Sequence, residues 1–310
     1  MSNLFRLPIR FRTLLILPGL ILLLTISPIM ANEEMAQPNL TLSGSTSLAN
    51  LISLWADAFR LRYPEAAFIV ADSGSAVGME ALLNGSADAV LLSTRLRKHQ
   101  QQRFLDRYGY APTLIPVAHD GVAIFVNKLN PLAKISLPQL DAVFSRTLRC
   151  GENKAIRSWR GLGLKGELAQ KPITTVGLSA DTGAYYLFRK KALCGGDFRT
   201  DFQAMAGPGG VQAAISHNAA AIGFAGSAQD NPELRTLAVA RDKAGKAVLP
   251  TPAAIRSQRY PLARPLSIAY NLPPEHAMPP QLKTFIEFIL SVDGQDIAAE
   301  AGYVRLAGPQ

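Results

Sequence analysis

Three short stretches combine the hydroxyls, glycines and helix starts from which a site for a small anion can be built. They are SGSTS (43–47), SGSAVG (73–78) and SADTGAYYLF (179–188), and each runs into a segment with helical apolar spacing. The first N–H groups of a helix have no intrahelical partner and sit at the positive end of the helix dipole. Small residues and hydroxyls at that end let an anion approach backbone donors closely. Each stretch taken singly also fits a plain turn that caps a helix, and in the third the cap is assigned to Asp181. Three of them in one chain are read as lining one cleft. Positive charge is the missing component, because none of the three contains Arg or Lys.

Other chemistry finds less support. His99, His119, His217 and His276 lie far apart, with no His-x-x-x-His or Cys-x-x-Cys spacing for zinc. There is no G-x-S-x-G, and a nucleophile at Ser45 or Ser75 would need a histidine base that the sequence does not bring near. An enzyme is therefore not expected, and no cofactor is implied. The basic run RLRKHQQQRF (95–104) has helical spacing without interleaved aromatics. That is the pattern of a solvated helix face, so nucleic acid is not an expected partner.

The elements that must hold the three loops follow from periodicity. After SGSTS, the spacing of Leu48, Leu51, Ile52, Trp55 and Phe59 predicts an amphipathic helix that ends before Pro64. AAFIVAD (66–72) has strand length and leads into SGSAVG. Met79, Leu82 and Leu83 then mark a helix stopped by Asn84-Gly85. DAVLLSTR (88–95), VAIFVN, PITTVGLS (172–179), AAIGFAGSA and PLSIAYNLPP (265–274) read as strands. Ser136 and Gln139 fit a capping box for a helix with Leu140, Val143 and Phe144 inward. GPGGVQAAISHN (207–218) reads as a glycine-rich start to a short helix, and two helices close the chain. Residues 149–172, rich in Gly, Arg and Lys, read as surface loop. Trp55 is read as core; Trp159 is left between surface and interface.

Strand, Ser/Gly loop and helix repeat, which argues for an α/β fold with a largely parallel sheet and ligands beyond the strands' carboxyl ends. The order of elements inserts a lobe (126–258) between two parts of another (38–122 plus 264–310). Crossings near 123–126 and 259–264 would form a two-strand hinge, as in a clamp that closes on a ligand. With 310 residues, 48% hydrophobic and 18% charged, the chain can fill two such cores and is not disordered.

The N-terminus carries Arg6, Arg10 and Arg12, an apolar run from Leu14 to about Ile26, and small residues ending at Ala31. That is the pattern of a cleaved secretory signal peptide over 1–31, giving a periplasmic protein. The alternative, a retained anchor, fits less well with so short a run broken by Pro18 and Gly19. Removing its three arginines lowers the formal net charge from +9 to +6, which still favours anionic partners. Cys150 and Cys194 are an even pair that suggests one disulfide in an oxidising compartment, the alternative being two buried thiols.

LTLSGSTSLANLISLWADAF, DSGSAVGMEALLNGSADAVLLSTR, VNKLNPLAKISLPQLDAVFS, GLSADTGAYYLF and AAIGFAGSA occur in an order and spacing that resembles the periplasmic phosphate-binding proteins of bacterial ABC importers. The resemblance covers nearly the whole mature chain and is strongest from Asn127 to Ser145. It implies a two-lobed type II periplasmic binding protein. Its ligand would be a small oxyanion, most simply phosphate, captured in the cleft between the lobes, and its partner a membrane ABC permease or a sensor. The protein would be a monomer. It also implies a ligand set: Ser45, Thr46 and Ser47 in the first loop, Ser75 in the second, Ser93, Thr94 and Arg95 after the third strand, and Thr182, Gly183 and Ala184 in the last. Two of the family's charged positions differ. The aspartate after the third strand is replaced within Ser93-Thr94-Arg95, with Thr94 at its position. The arginine of the last loop becomes Leu178, and the family's final hydroxyl there becomes Ala184. Arg95 is the candidate replacement for the missing positive charge. A second function, a sensor or envelope adaptor with altered phosphate binding, follows from the same departures.

Overall fold

The computed structural model describes residues 39–307, apart from Asp181 and residues 228–230, and at Thr46 and Ser47 only the backbone. The leader assigned to 1–31 and the polar stretch 32–38 lie outside the described residues.

The first part of the chain alternates as its periodicity predicts. Strand β1 (Leu40–Gly44) leads into helix α1 (Thr46–Arg60), β2 (Phe68–Asp72) into α2 (Ser75–Asn84), and β3 (Ala89–Leu92) into α3 (Lys98–Tyr108). The α1 stripe of Leu48, Leu51, Ile52, Trp55 and Phe59 is buried throughout. α2 stops at Gly85, whose φ of 80° is the left-handed conformation that closes many helices. The chain then crosses the molecule on the long strand β4 (Thr113–Asn127).

The middle holds β5 (Lys134–Ser136), α4 (Leu137–Phe144), a 3-10 turn (Trp159–Leu162), α5 (Glu167–Gln170), β6 (Thr174–Leu178) and α6 (Gly183–Ala192). β7 (Gln203–Met205), α7 (Pro208–Ser216), β8 (Ala221–Gly226), β9 (Leu234–Thr236), β10 (Ala238–Ala240) and α8 (Pro252–Arg256) complete it. The capping box of α4 forms: the Gln139 N–H donates to Ser136 Oγ at 3.3 Å, and the Ser136 N–H to Gln139 Oε1 at 3.0 Å. β11 (Ala263–Tyr270) brings the chain back, and α9 (Pro280–Leu290) and α10 (Val292–Glu300) close it.

Among the described residues nine strands form one sheet in the order β2-β1-β3-β11-β4-β8-β6-β7, with β9 also on β4. The sheet is mixed and not largely parallel. β2, β1 and β3 are parallel, as are β8, β6 and β7. Between these triplets β11 is antiparallel to both β3 and β4, and β4 is antiparallel to β8. The physical reason is that β4 and β11 are traffic strands: one leaves the first triplet and the other returns to it. The first part of β4 pairs with β11 and the second, from Val122, with β8. Its Val117 and Ala118 belong to the core around Leu42, Trp55 and Phe285. Its Val122 to Val126 belong to the core around Phe144, Phe188 and Phe224.

Trp159 joins that second core. It is fully buried, and its Nε1–H donates to the Ala220 carbonyl at 3.1 Å. The stretch 149–172 is therefore partly structural, not a plain surface loop: the 3-10 turn exists to insert the indole. Trp55 is buried as expected, donating to the Gly294 carbonyl at 2.6 Å. Cys150 and Cys194 are bonded, which ties the segment after α4 to the end of α6.

Candidate functional site

The first three loops converge because two glycines allow the backbones to touch. Gly44 has φ +132°, and a Cβ there would lie 2.4 Å from the Leu91 carbonyl oxygen. The Ser45 N–H donates to that same oxygen at 2.9 Å, so the β1–α1 loop lies across the end of β3. A Cβ on Gly78 would meet Gly44 Cα at 2.7 Å, so the first turn of α2 rests on the same loop. The hydroxyls then meet. Ser45 Oγ donates to Ser93 Oγ at 2.7 Å in a buried contact, and the Ser93 N–H points to Ser75 Oγ at 3.4 Å.

Ser45, Ser75, Ser93, Thr94 and Arg95 line one cavity of about 430 Å³. Facing them are Arg97, Arg189, Lys190 and Arg264. The α1 start supplies the backbone of Thr46 and Ser47 beside Ser45. Thr182, Gly183 and Ala184 line a second cavity of about 390 Å³, together with Leu178, Asp120 and Tyr303. The expected single ligand set is thus divided between two neighbouring cavities. Arg264 borders the first and Asp120 the second, and the two are joined. Arg264 Nε and Nη2 donate to Asp120 Oδ2 at 2.9 and 2.6 Å, and Nη2 also donates to the Gly183 carbonyl at 3.0 Å.

One local assignment changes. Thr182, not Asp181, is the N-cap of α6: its Oγ1 accepts the Tyr185 N–H at 3.3 Å and donates to the Ser179 carbonyl at 2.8 Å. Threonine and aspartate are both favoured N-caps, and register decides between adjacent candidates. Asp181 lies outside the described residues. Arg95 is exposed, and its Nη2 donates to Gln258 Oε1 at 3.2 Å. Leu178, at the family's arginine position, is 5% exposed and packs in the second core.

The Arg264–Asp120 pair escaped the sequence reading. The signal was a charged residue inside an apolar strand, since buried arginines are rare unless paired. Its field reaches its neighbours. Partial desolvation of Lys190 lowers its pKa, and Arg97 and Arg264 lower it further. Burial likewise brings Lys191 down to about 8, helped by Arg241, Arg264 and Lys190 and opposed by Asp120. Lys191 Nζ donates to the carbonyls of Pro261 and Ala263 at 3.2 and 2.5 Å. Among the described residues no cluster of His, Cys, Asp and Glu could hold a metal ion, and no helix is long and apolar enough to cross a membrane.

Two parallel βα triplets bridged by two antiparallel strands, with hydroxyl-bearing helix starts at the strand ends, give the chain the fold of the type II periplasmic binding proteins. Residues 31–293 match the PBP superfamily domain. Over 268 residues the chain is 34% identical to the phosphate-binding protein PstS of Pseudomonas aeruginosa, covering 86% of this chain and 83% of that protein. It therefore belongs to the PBP superfamily and, within it, to the PstS family. The fold is similar to that of a possible phosphate-binding protein from Planctomyces limnophilus, with a TM-score of 0.75 at 22% identity over 87% of this chain and 94% of the other. It is also similar to that of an ABC-type phosphate transport receptor from Vibrio cholerae, with a TM-score of 0.63 at 24% identity over 86% and 100% of the two chains.

Proposed function

We propose that this protein is a periplasmic solute-binding protein that captures phosphate and delivers it to a membrane ABC permease. The observation that carries the reading is the convergence of Ser45, Ser75, Ser93 and Thr94 on one cavity faced by basic side chains. Neutral O–H and N–H donors at helix starts desolvate a small tetrahedral anion without forming covalent bonds to it. The family relationship supports phosphate as the anion, because the relative from Pseudomonas aeruginosa is a phosphate-binding protein. In this reading 38–122 plus 264–310 form one lobe and 126–258 the other. Rotation about β4 and β11 brings Thr182, Gly183 and Ala184 onto the ligand held by the first three loops. The leader over 1–31 delivers the chain to the periplasm, where it works as a monomer.

Titration calorimetry of extensively dialysed mature protein tests this. The expected result is one phosphate per chain with a Kd in the micromolar range or tighter. No heat with phosphate overturns the capture function. It would favour the second reading, a sensor or adaptor, to which Leu178 at the arginine position already points.

A further inference from the structure

We infer that Arg264 is the cation of the anion site, a ligand-contacting arginine supplied by the return strand β11 in place of one at Leu178. The inference rests on the function proposed above. Its first support is position. Ser267 pairs with Leu92 in antiparallel register, so the residues before Ser267 run alongside those that follow Leu92. Those are Ser93, Thr94 and Arg95, and Arg264 lines the same cavity as they do.

Burial is the second support. The Arg264 side chain is 8% exposed, whereas Arg95, Arg97 and Lys190 on the same cavity are exposed. Arg189 is only half-buried. A cation withdrawn from water holds an anion more strongly than a solvated one at the same distance. Arg264 is the candidate most withdrawn from water.

The third support is preorganisation. Asp120 takes two N–H groups of the guanidinium on one carboxylate oxygen, which fixes the plane and direction of the group. Nη2 also reaches the carbonyl of Gly183, the first residue of α6, whose helix start is the other half of the proposed site. One side chain therefore touches the first cavity and the start of α6 together. Asp120 is a positioning residue in this scheme: it aims the arginine and does not itself meet the ligand.

The test measures phosphate and sulfate binding by calorimetry on the mature wild type and on Arg264→Gln, Arg264→Lys and Asp120→Asn, with a thermal melt of each. Arg264→Gln is expected to weaken phosphate binding about 100-fold, and Arg264→Lys about tenfold, because lysine keeps the charge but not the planar fork. Asp120→Asn keeps the cation and is expected to bind at least tenfold more tightly than Arg264→Gln at a similar melting temperature. A merely structural pair predicts a different pattern, in which Arg264→Gln and Asp120→Asn lower the melting temperature alike and share one affinity; that pattern overturns the inference. If Arg264→Gln does not fold, Arg264→Lys decides, since a folded lysine variant with wild-type affinity also overturns it. A wild type silent to phosphate overturns the proposed function and this inference together. A wild type that binds beside an Arg264→Gln variant that binds equally overturns this inference alone.

Discussion

At the scale of the residue, the first cavity is notable for the kind of donor it holds. Ser45, Ser75, Ser93 and Thr94 carry hydroxyls, which donate or accept according to what faces them. A site of hydroxyls does not test whether the ligand carries a proton. A carboxylate does: it accepts from a protonated phosphate and repels sulfate, which has no proton to offer. Thr94 stands where the family has its aspartate, so sulfate is expected to compete with phosphate for the wild-type site. Thr94→Asp should raise the preference for phosphate over sulfate at least tenfold, read by calorimetric displacement at neutral pH. An unchanged ratio would mean that Thr94 does not face the ligand.

At the scale of the element, the site depends on how closely α2 approaches the β1–α1 loop. A methyl group at Gly78 would lie 2.7 Å from Gly44 Cα and 2.9 Å from Val90 Cγ1. Relieving that overlap must lift the start of α2, at a cost of about 1–3 kcal/mol. Gly78→Ala is therefore expected to lower the urea midpoint and weaken phosphate binding together, because Ser75 moves with the helix. Gly209→Ala serves as the control: it also lies in a helix start, on α7, and a Cβ there meets nothing within 4 Å. It should leave phosphate binding unchanged and hold or raise the urea midpoint, since alanine at an open helical position reduces the entropy of the unfolded chain. Elements with strong periodicity, such as α1 and its five-residue stripe, were legible in the sequence. β5, β7, β9 and β10 were not, since three residues carry too little pattern to separate strand from loop.

At the scale of the whole molecule, Lys191 couples α6 to the segment that enters β11. Its pKa of about 8 in the folded chain compares with 10.5 for the free side chain. Between these values the unfolded chain binds more protons than the folded one, so stability rises with pH from 8 to 10.5. Below pH 8 both states are protonated and the full penalty of burying the charge is present. Lys191→Met should remove this rise, so that the difference in urea midpoint between the variant and the wild type narrows or reverses as the pH climbs from 7 to 10. A wild type whose midpoint changes in parallel with the variant's across that range would exclude Lys191 as the source.

The sequence by itself determined the class of the fold, the three Ser/Gly loops at helix starts, the Trp55 core and the mismatch at Leu178. These depend on neighbours within a few residues or on the order of segments, and both are written in the chain. Only the tertiary structure decided which residues meet. That Trp159 is core, and neither surface nor interface, is set by partners across the fold, among them the Ala220 carbonyl that accepts its N–H. The antiparallel centre of the sheet depends on β4 and β11 pairing across the insertion that separates them. For the same reason the buried arginine emerged on β11, far in sequence from the loops it faces. Charge is a property of one residue, but its burial and direction are set by partners more than a hundred residues away, here Asp120.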